Sequence, residues 1–159
     1  MTRWNRPTLR RSLEVILVAL VSAAAGCGGG VEDLPGAKGD LLAGLSPSES
    51  HGAQHTGRMT DGFVSNDGGF WRTDMTAFLP QGAEVTWDLG AVKPINCAYL
   101  QGDNNDVYEL HGSDDGKTFT PLWTAGGVSK AGMQPRTEQH VGKSARYVRL
   151  SAHGGESAG

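Results

Sequence analysis

A polar run, Gln101-Gly102-Asp103-Asn104-Asn105-Asp106, leads into Val107-Tyr108-Glu109-Leu110 and then into Ser113-Asp114-Asp115-Gly116. Carboxylates and carboxamides on a loop offer hydrogen-bond acceptors and donors together, which is the chemistry that recognises a polar ligand. The same residue types also cap and turn a chain between strands, and that reading stays open beside the first. Catalysis has less to stand on. A serine nucleophile elbow needs G-x-S-x-G, and Gly112-Ser113-Asp114-Asp115-Gly116 places the serine second rather than third. His51 and His55 have the spacing of two zinc ligands on one helical face, but Gly52 intervenes and no Glu adjoins them. A solvated loop is expected there. No two carboxylates take on separable acid and base roles, so the run reads as part of a binding module and not as an active site.

The elements that must position this loop are strands. Val107, Leu110 and Phe119 supply the apolar content of two short strands, with Asp115-Gly116 between them as the turn of a hairpin. Upstream, Val85-Thr86-Trp87-Asp88-Leu89-Gly90 sets Val85, Trp87 and Leu89 on one face, so Trp87 is expected inside. With 24 glycines in 159 residues, short apolar runs broken by Gly, Asp, Asn and Pro, and no long amphipathic helix after residue 30, the expected class is all-β, an antiparallel sandwich of one domain.

These pieces in their order resemble the discoidin family, also called coagulation factor 5/8 type C or galactose-binding-like domains. The matching residues are Thr60-Asp61-Gly62, Trp71, Asp88-Leu89-Gly90, Asn104-Asn105-Asp106, Tyr108, Ser113-Asp114-Asp115-Gly116 and Ala145-Arg146-Tyr147-Val148-Arg149-Leu150. The resemblance implies a jelly-roll sandwich over residues 48–159, with the family's last strand missing from a truncated chain. It implies a carbohydrate or other extracellular ligand. Gln101 stands near the position of the family's sugar-binding Arg and Asn104-Asn105 near that of its Asn. Asp103, Asn104, Asn105, Asp106 and Gln101 are therefore the candidate ligand contacts, with Trp123 as the aromatic platform and Arg136 joining from another loop. Arg72 and His140 are further partners to consider. The resemblance also carries a structural calcium at Asp61, for which Glu156 would replace the missing strand's Glu; no other cofactor is required. The aromatics Trp71 and Trp87 are expected in the core, and Phe70, Phe78 and Trp123 nearer the turns.

The N-terminus is a separate matter. Arg3, Arg6, Arg10 and Arg11 precede the apolar run Val15–Ala25, which is too short to span a bilayer as a stable helix. Residues 1–26 read as a secretory signal helix. Ala24-Ala25-Gly26-Cys27 resembles the lipobox of bacterial lipoproteins, which makes Cys27 the acylated N-terminus and membrane anchor; an ordinary cleavage site with a coincidental cysteine is the alternative. Residues 27–47 read as a Gly/Ser/Pro-rich tether, the alternative being that Leu41, Leu42 and Leu45 begin the domain's first turn, and Cys97, the chain's other cysteine, reads as a small buried hydrophobe. The whole chain carries −3 and the signal, with four Arg and one Glu, +3, so the processed protein carries −3 − 3 = −6. That charge disfavours nucleic acid as a partner.

Taken together, the expectation is a lipid-anchored, non-enzymatic protein at the outer membrane or cell surface of a Gram-negative bacterium, binding a glycan. A protein-interaction module of the envelope that docks another envelope protein, and an accessory domain of a larger enzyme, are the alternatives.

Overall fold

The computed structural model of the chain describes residues 12–21, 36, 39–70 and 73–153. Nine strands are present among them: β1 (Ser12–Val21), β2 (Glu49–His51), β3 (Ala77–Pro80), β4 (Glu84–Ile95), β5 (Cys97–Asp103), β6 (Val107–Ser113), β7 (Thr120–Ala125), β8 (Met133–Glu138) and β9 (Lys143–His153). One sheet runs β3-β1-β5-β8 and the other β2-β4-β9-β6-β7, with every ladder antiparallel. The core between them joins Leu79, Ala98 and Leu100 of the first sheet to Val85, Trp87, Leu110, Val148 and Leu150 of the second. This is the expected all-β antiparallel sandwich. Trp87 is completely buried, as its face-sharing with Val85 requires.

Two segments behave differently from their composition. Ser12–Val21, which falls within the expected export signal and overlaps its apolar run Val15–Ala25, is strand β1 in the full chain, paired with β3 on one side and β5 on the other. A run that is apolar at all but Ser12 and Glu14 suits a strand covered on both faces as well as it suits a signal, and periodicity does not separate the two. The domain's packing also begins earlier than residue 48. Leu42 is wholly buried, Leu41 and Leu45 lean on the core, and Asp40 accepts the Leu42 and Gly36 N–H groups at 3.0 and 2.9 Å. Residues 40–47 are therefore the domain's first turn and not tether; three leucines burying apolar surface outweigh the Gly and Pro beside them.

The strands also explain two of the sequence motifs. Asp88 of β4 lies opposite Tyr147 of β9, and its carboxylate receives Arg146 Nε and Nη2, both at 2.9 Å, in a bidentate pair. Asp88 also accepts the Gly90 N–H at 2.8 Å, where the β4–β9 register shifts between Asp88 and Lys93. The Asp-Leu-Gly and Ala-Arg-Tyr motifs are thus the two halves of one latch. The Arg146 hydrogen bond, more than any other influence, holds the Asp88 carboxyl down at about 2.

The hairpin between β6 and β7 is wider than a two-residue turn. Six residues, 114–119, separate Ser113 from Thr120, and Phe119 precedes β7 instead of belonging to it, half-buried beneath the Arg149 guanidinium 3.8 Å from its ring centre. Only Gly116 takes a positive φ, 71°, because Asp115 organises the loop through its side chain. Asp115 Oδ1 accepts the Ser113 hydroxyl and the Lys117 and Thr118 N–H groups, each at 2.8 Å, while Ser113 Oγ accepts the Gly116 N–H at 3.0 Å. The serine hydroxyl is spent on the turn, which agrees with the absence of a nucleophile elbow.

Candidate functional site

The loop between β5 and β6, residues 104–106, lies at one end of the sandwich beside two others, 62–70 and 126–132. Asn104 O accepts the Val128 N–H at 2.7 Å and Asn104 Nδ2 donates to Val128 O at 3.3 Å. Met133, at the start of β8, sits opposite Asp103 on one side and bridges to Gly69 on the other. Two strand spacings therefore separate Asp103 from Gly69, about 10 Å.

Beneath this end lies Arg136, 7% exposed, on β8. Its Nη1 donates to Gly102 O at 2.8 Å and Gln134 O at 3.2 Å, its Nη2 to Asp103 O at 2.5 Å and Asp106 O at 3.4 Å, and its Nε to Gly126 O at 3.2 Å. One guanidinium thus gathers the 102–106 and 126–132 backbones, which suits its rigid fork of donors better than an ammonium. Burial lowers the Arg136 pKa from its ordinary value, opposed by Tyr108 and the carboxylates of Asp106 and Asp103. The Tyr108 ring centre lies 5.7 Å from the guanidinium carbon, and its hydroxyl donates to Asp106 Oδ2 at 3.2 Å. Burial, and after it the Asp106 charge, pushes the Tyr108 hydroxyl well above its usual value. Gly102 is obligatory here, since a Cβ on it would meet the Tyr108 ring at 2.7 Å.

Each expected site residue can now be placed. Arg136, expected at a ligand, is a buried clamp whose donors are committed to backbone carbonyls. Gln101, expected near a sugar-binding position, is wholly buried and pairs its amide with Ser65, Oε1 accepting the N–H at 2.8 Å and Nε2 donating to the carbonyl at 2.9 Å. It ties the 62–70 loop to β5 and is not at the surface. Asp106 is buried, with 3% exposure, and holds Tyr108. Asp103 is half-buried and caps the Asn104 N–H at 2.9 Å. Asn104 is half-buried at the rim and Asn105 is exposed. Trp123, expected as an aromatic platform, packs against the core from β7, half-buried. His140 lies beyond the far end of β8, beside the Val141-to-Asn96 contact, and does not reach this loop. Trp71 and Arg72 lie outside the described residues.

Phe70, noted in the sequence only as lying near a turn, is 67% exposed and adjoins Gly69 at this same end, while Phe63 and Val128 are 42% and 36% exposed in the flanking loops. The sequence signal for Phe70 was its position directly after Gly68-Gly69, where no strand pattern accounts for an aromatic.

Asp61 lines a separate open depression of about 670 Å³ with His55, Thr56, Arg58 and Asp74. Its Oδ1 accepts the Phe63 N–H at 2.9 Å and its Oδ2 pairs with Arg58 at 3.3 Å. Calcium asks for six to eight oxygens. Among the described residues no three His, Cys, Asp or Glu side chains gather for a metal, and the Asp61 carboxylate is paired with the Arg58 guanidinium. Glu156 lies outside the described residues. His51 ends β2 and His55 precedes a single 3-10 turn, Thr56–Met59, both exposed, so they share no helical face.

Cys97 is buried, as expected, but it is disulfide-bonded and not a lone thiol. The sequence contains one other cysteine, Cys27, outside the described residues.

A comparison with curated proteins gave no match. Among solved structures the chain is similar to CpGH89CBM32-5 from Clostridium perfringens, in complex with GalNAc-β-1,3-galactose, at 27% identity over 48% of this chain and 57% of that one, with a TM-score of 0.36. It is also similar to the CBM32 of AlyQ in complex with 4,5-unsaturated mannuronic acid, at 16% identity over 91% of this chain and 86% of that one, TM-score 0.37. A truncated AlyQ with CBM32 and alginate lyase domains matches at 16% identity over 89% of this chain, TM-score 0.34; the present chain spans 28% of it. The family model described as F5/8 type C domain matches residues 45–159, most of the chain and every loop of the site just described, and the chain belongs to that family.

Proposed function

We propose that this chain is an exported, non-enzymatic module that binds carbohydrate at the end of the sandwich formed by residues 62–70, 103–106 and 126–132. One observation carries the reading: the polar rim of Asp103, Asn104 and Asn105 and the exposed ring of Phe70 stand on either side of Met133, on a backbone fixed from below by Arg136. A sugar offers hydroxyls to the first and a C–H face to the second, and a rim ordered before binding loses little freedom on engagement. Family membership supports the same class of ligand. The test is retention on immobilised glycans, beginning with GalNAc-β-1,3-galactose and mannuronate oligomers. Phe70→Ala should weaken retention about tenfold, the loss of one well-placed aromatic contact, without lowering the melting temperature. A Phe70→Ala chain retained like wild type on every glycan that binds removes the ring from the site.

Anchoring through an acylated Cys27 completes the proposal. Palmitate should label the wild type and not Cys27→Ser, and the variant should leave the membrane fraction. An unlabelled wild type whose Cys97 resists alkylation until reduced overturns the anchor.

A further inference from the structure

Phe70 leaves a tight turn whose two feet are pinned to neighbouring strands. Within the turn the Gly69 N–H donates to Asn66 O at 2.9 Å, and a Cβ on Gly69 would stand 2.7 Å from Ser65 Oγ, so the chain has little room to rearrange there. The far foot is held backbone to backbone on β8, where the Gly68 N–H donates to Met133 O at 2.8 Å and the Met133 N–H to Gly69 O at 3.0 Å. A Cβ on Gly132 would come within 2.6 Å of Gly68 O, so this contact is close-fitting too. The near foot, Ser65, is held by a side chain. Gln101 of β5 accepts the Ser65 N–H at 2.8 Å and donates to the Ser65 carbonyl at 2.9 Å. A carboxamide can do both at once, as a peptide group does in a sheet ladder.

We propose that Gln101 is the positioning residue for Phe70: its hold on Ser65 fixes where the exposed ring stands, so that glycan affinity depends on Gln101 through the loop and not through contact. The inference rests on the reading of Phe70 as a glycan contact. A wholly buried amide is costly unless it is bonded, and an apolar residue would fill the same place in the strand without that requirement. What the amide supplies and an apolar residue does not is the grip on Ser65. Without it the Ser65 N–H and C=O must find other partners, and the turn is left to pivot on the Met133 bridge alone. A ring that samples several places then loses that freedom on binding, and affinity falls although Phe70 and the polar rim are both still present.

Two variants of the full chain test it from opposite sides of the same bond. Gln101→Met keeps the side chain's length and removes both hydrogen bonds, while Ser65→Pro removes the N–H from the loop and leaves position 101 untouched. With para-fluorophenylalanine at position 70, the fluorine resonance reports the ring's surroundings with no ligand present. It should shift or split in both variants and stay in place in Asp115→Ala, whose turn lies beyond the far end of β6. With the natural Phe70, Gln101→Met should weaken retention on immobilised GalNAc-β-1,3-galactose or mannuronate oligomers about tenfold, as removal of the ring does, and should weaken it no further in a Phe70→Ala background. A residue that only stabilises the fold would give additive losses in that cycle and leave the resonance unmoved at temperatures where every chain is folded. An unmoved resonance in both variants overturns the proposal whatever the glycan assay gives, and so does a full further loss from Gln101→Met on top of Phe70→Ala. If Phe70→Ala is itself retained like wild type, the reading of the ring as a glycan contact fails, and the resonance still decides whether Gln101 sets its place.

Discussion

Two Asp-containing loops in this molecule, Asp103–Asp106 and Ser113–Thr118, use nearly the same residue types to opposite ends. In the second, Asp115 turns Oδ1 of its carboxylate inward onto the Ser113 hydroxyl and the Lys117 and Thr118 N–H groups, so the side chain is taken up in shaping its own loop. In the first, a buried guanidinium from a different strand holds the carbonyls, so the loop keeps its shape without consuming every side chain at the rim. A motif's capacity to bind is thus decided by where its backbone hydrogen bonds go. The residue names in the motif do not settle it.

The sharpest way to break the comparison is to remove the clamp. Arg136→Leu strands the carbonyls of Gly102, Asp103 and Asp106 without donors, and should cost about 3–5 kcal/mol while abolishing glycan retention. Chemical denaturation beside affinity electrophoresis reads both effects. A variant that keeps its stability and its binding would show that the loop organises itself. Next in size, Asn104→Ala with Asn105→Ala should abolish retention and change stability by no more than ~1 kcal/mol, since these side chains sit at the rim. A larger loss of stability with binding intact would make them turn residues, like Asp115. Asp115→Ala is the converse experiment: the melting temperature should fall by a few degrees, and retention should not change.

Acid distinguishes the latch from the clamp. A carboxyl whose pKa is lowered on folding contributes stability above its ordinary value and loses that contribution as pH falls through the folded value. For Asp88 the window runs from the usual 3.8 down to about 2. Asp115 is lowered further, chiefly by the Thr118 N–H and then the Lys117 N–H. Melting temperatures measured from pH 5 to pH 2 should decline through this window, and Asp88→Asn should flatten the decline. Superimposable curves for wild type and variant would assign the acid sensitivity elsewhere.

Much of this was legible in the sequence. The inward Trp87, the Asp-Leu-Gly strand, the Ser-x-Asp-Gly turn and the final Arg-Tyr strand all report local chemistry, in which a side chain bonds to its own neighbourhood or alternates across a strand. The site was only half legible. Gln101 reads as a ligand contact because it stands near the family's sugar-binding position, and Arg136 as its partner from another loop, and nothing in the order of residues shows that each is buried by bonding to backbone 36 or about 30 positions away. Phe70 was underrated for the same reason, since its exposure follows from the Gly69–Met133 bridge, a long-range contact. β1 was set aside because a continuous apolar run carries no period to distinguish a leader from an inner strand.

The Arg136 clamp has one more consequence. A guanidinium stays protonated across the range in which proteins work, and a carbonyl has no proton to gain or lose there. The guanidinium–carbonyl bonds under the rim are therefore indifferent to acidification, whereas the Asp88–Arg146 latch on the neighbouring sheet is not. As the surroundings turn acid, the domain should loosen along the β4–β9 seam while the guanidinium still gathers the loop carbonyls.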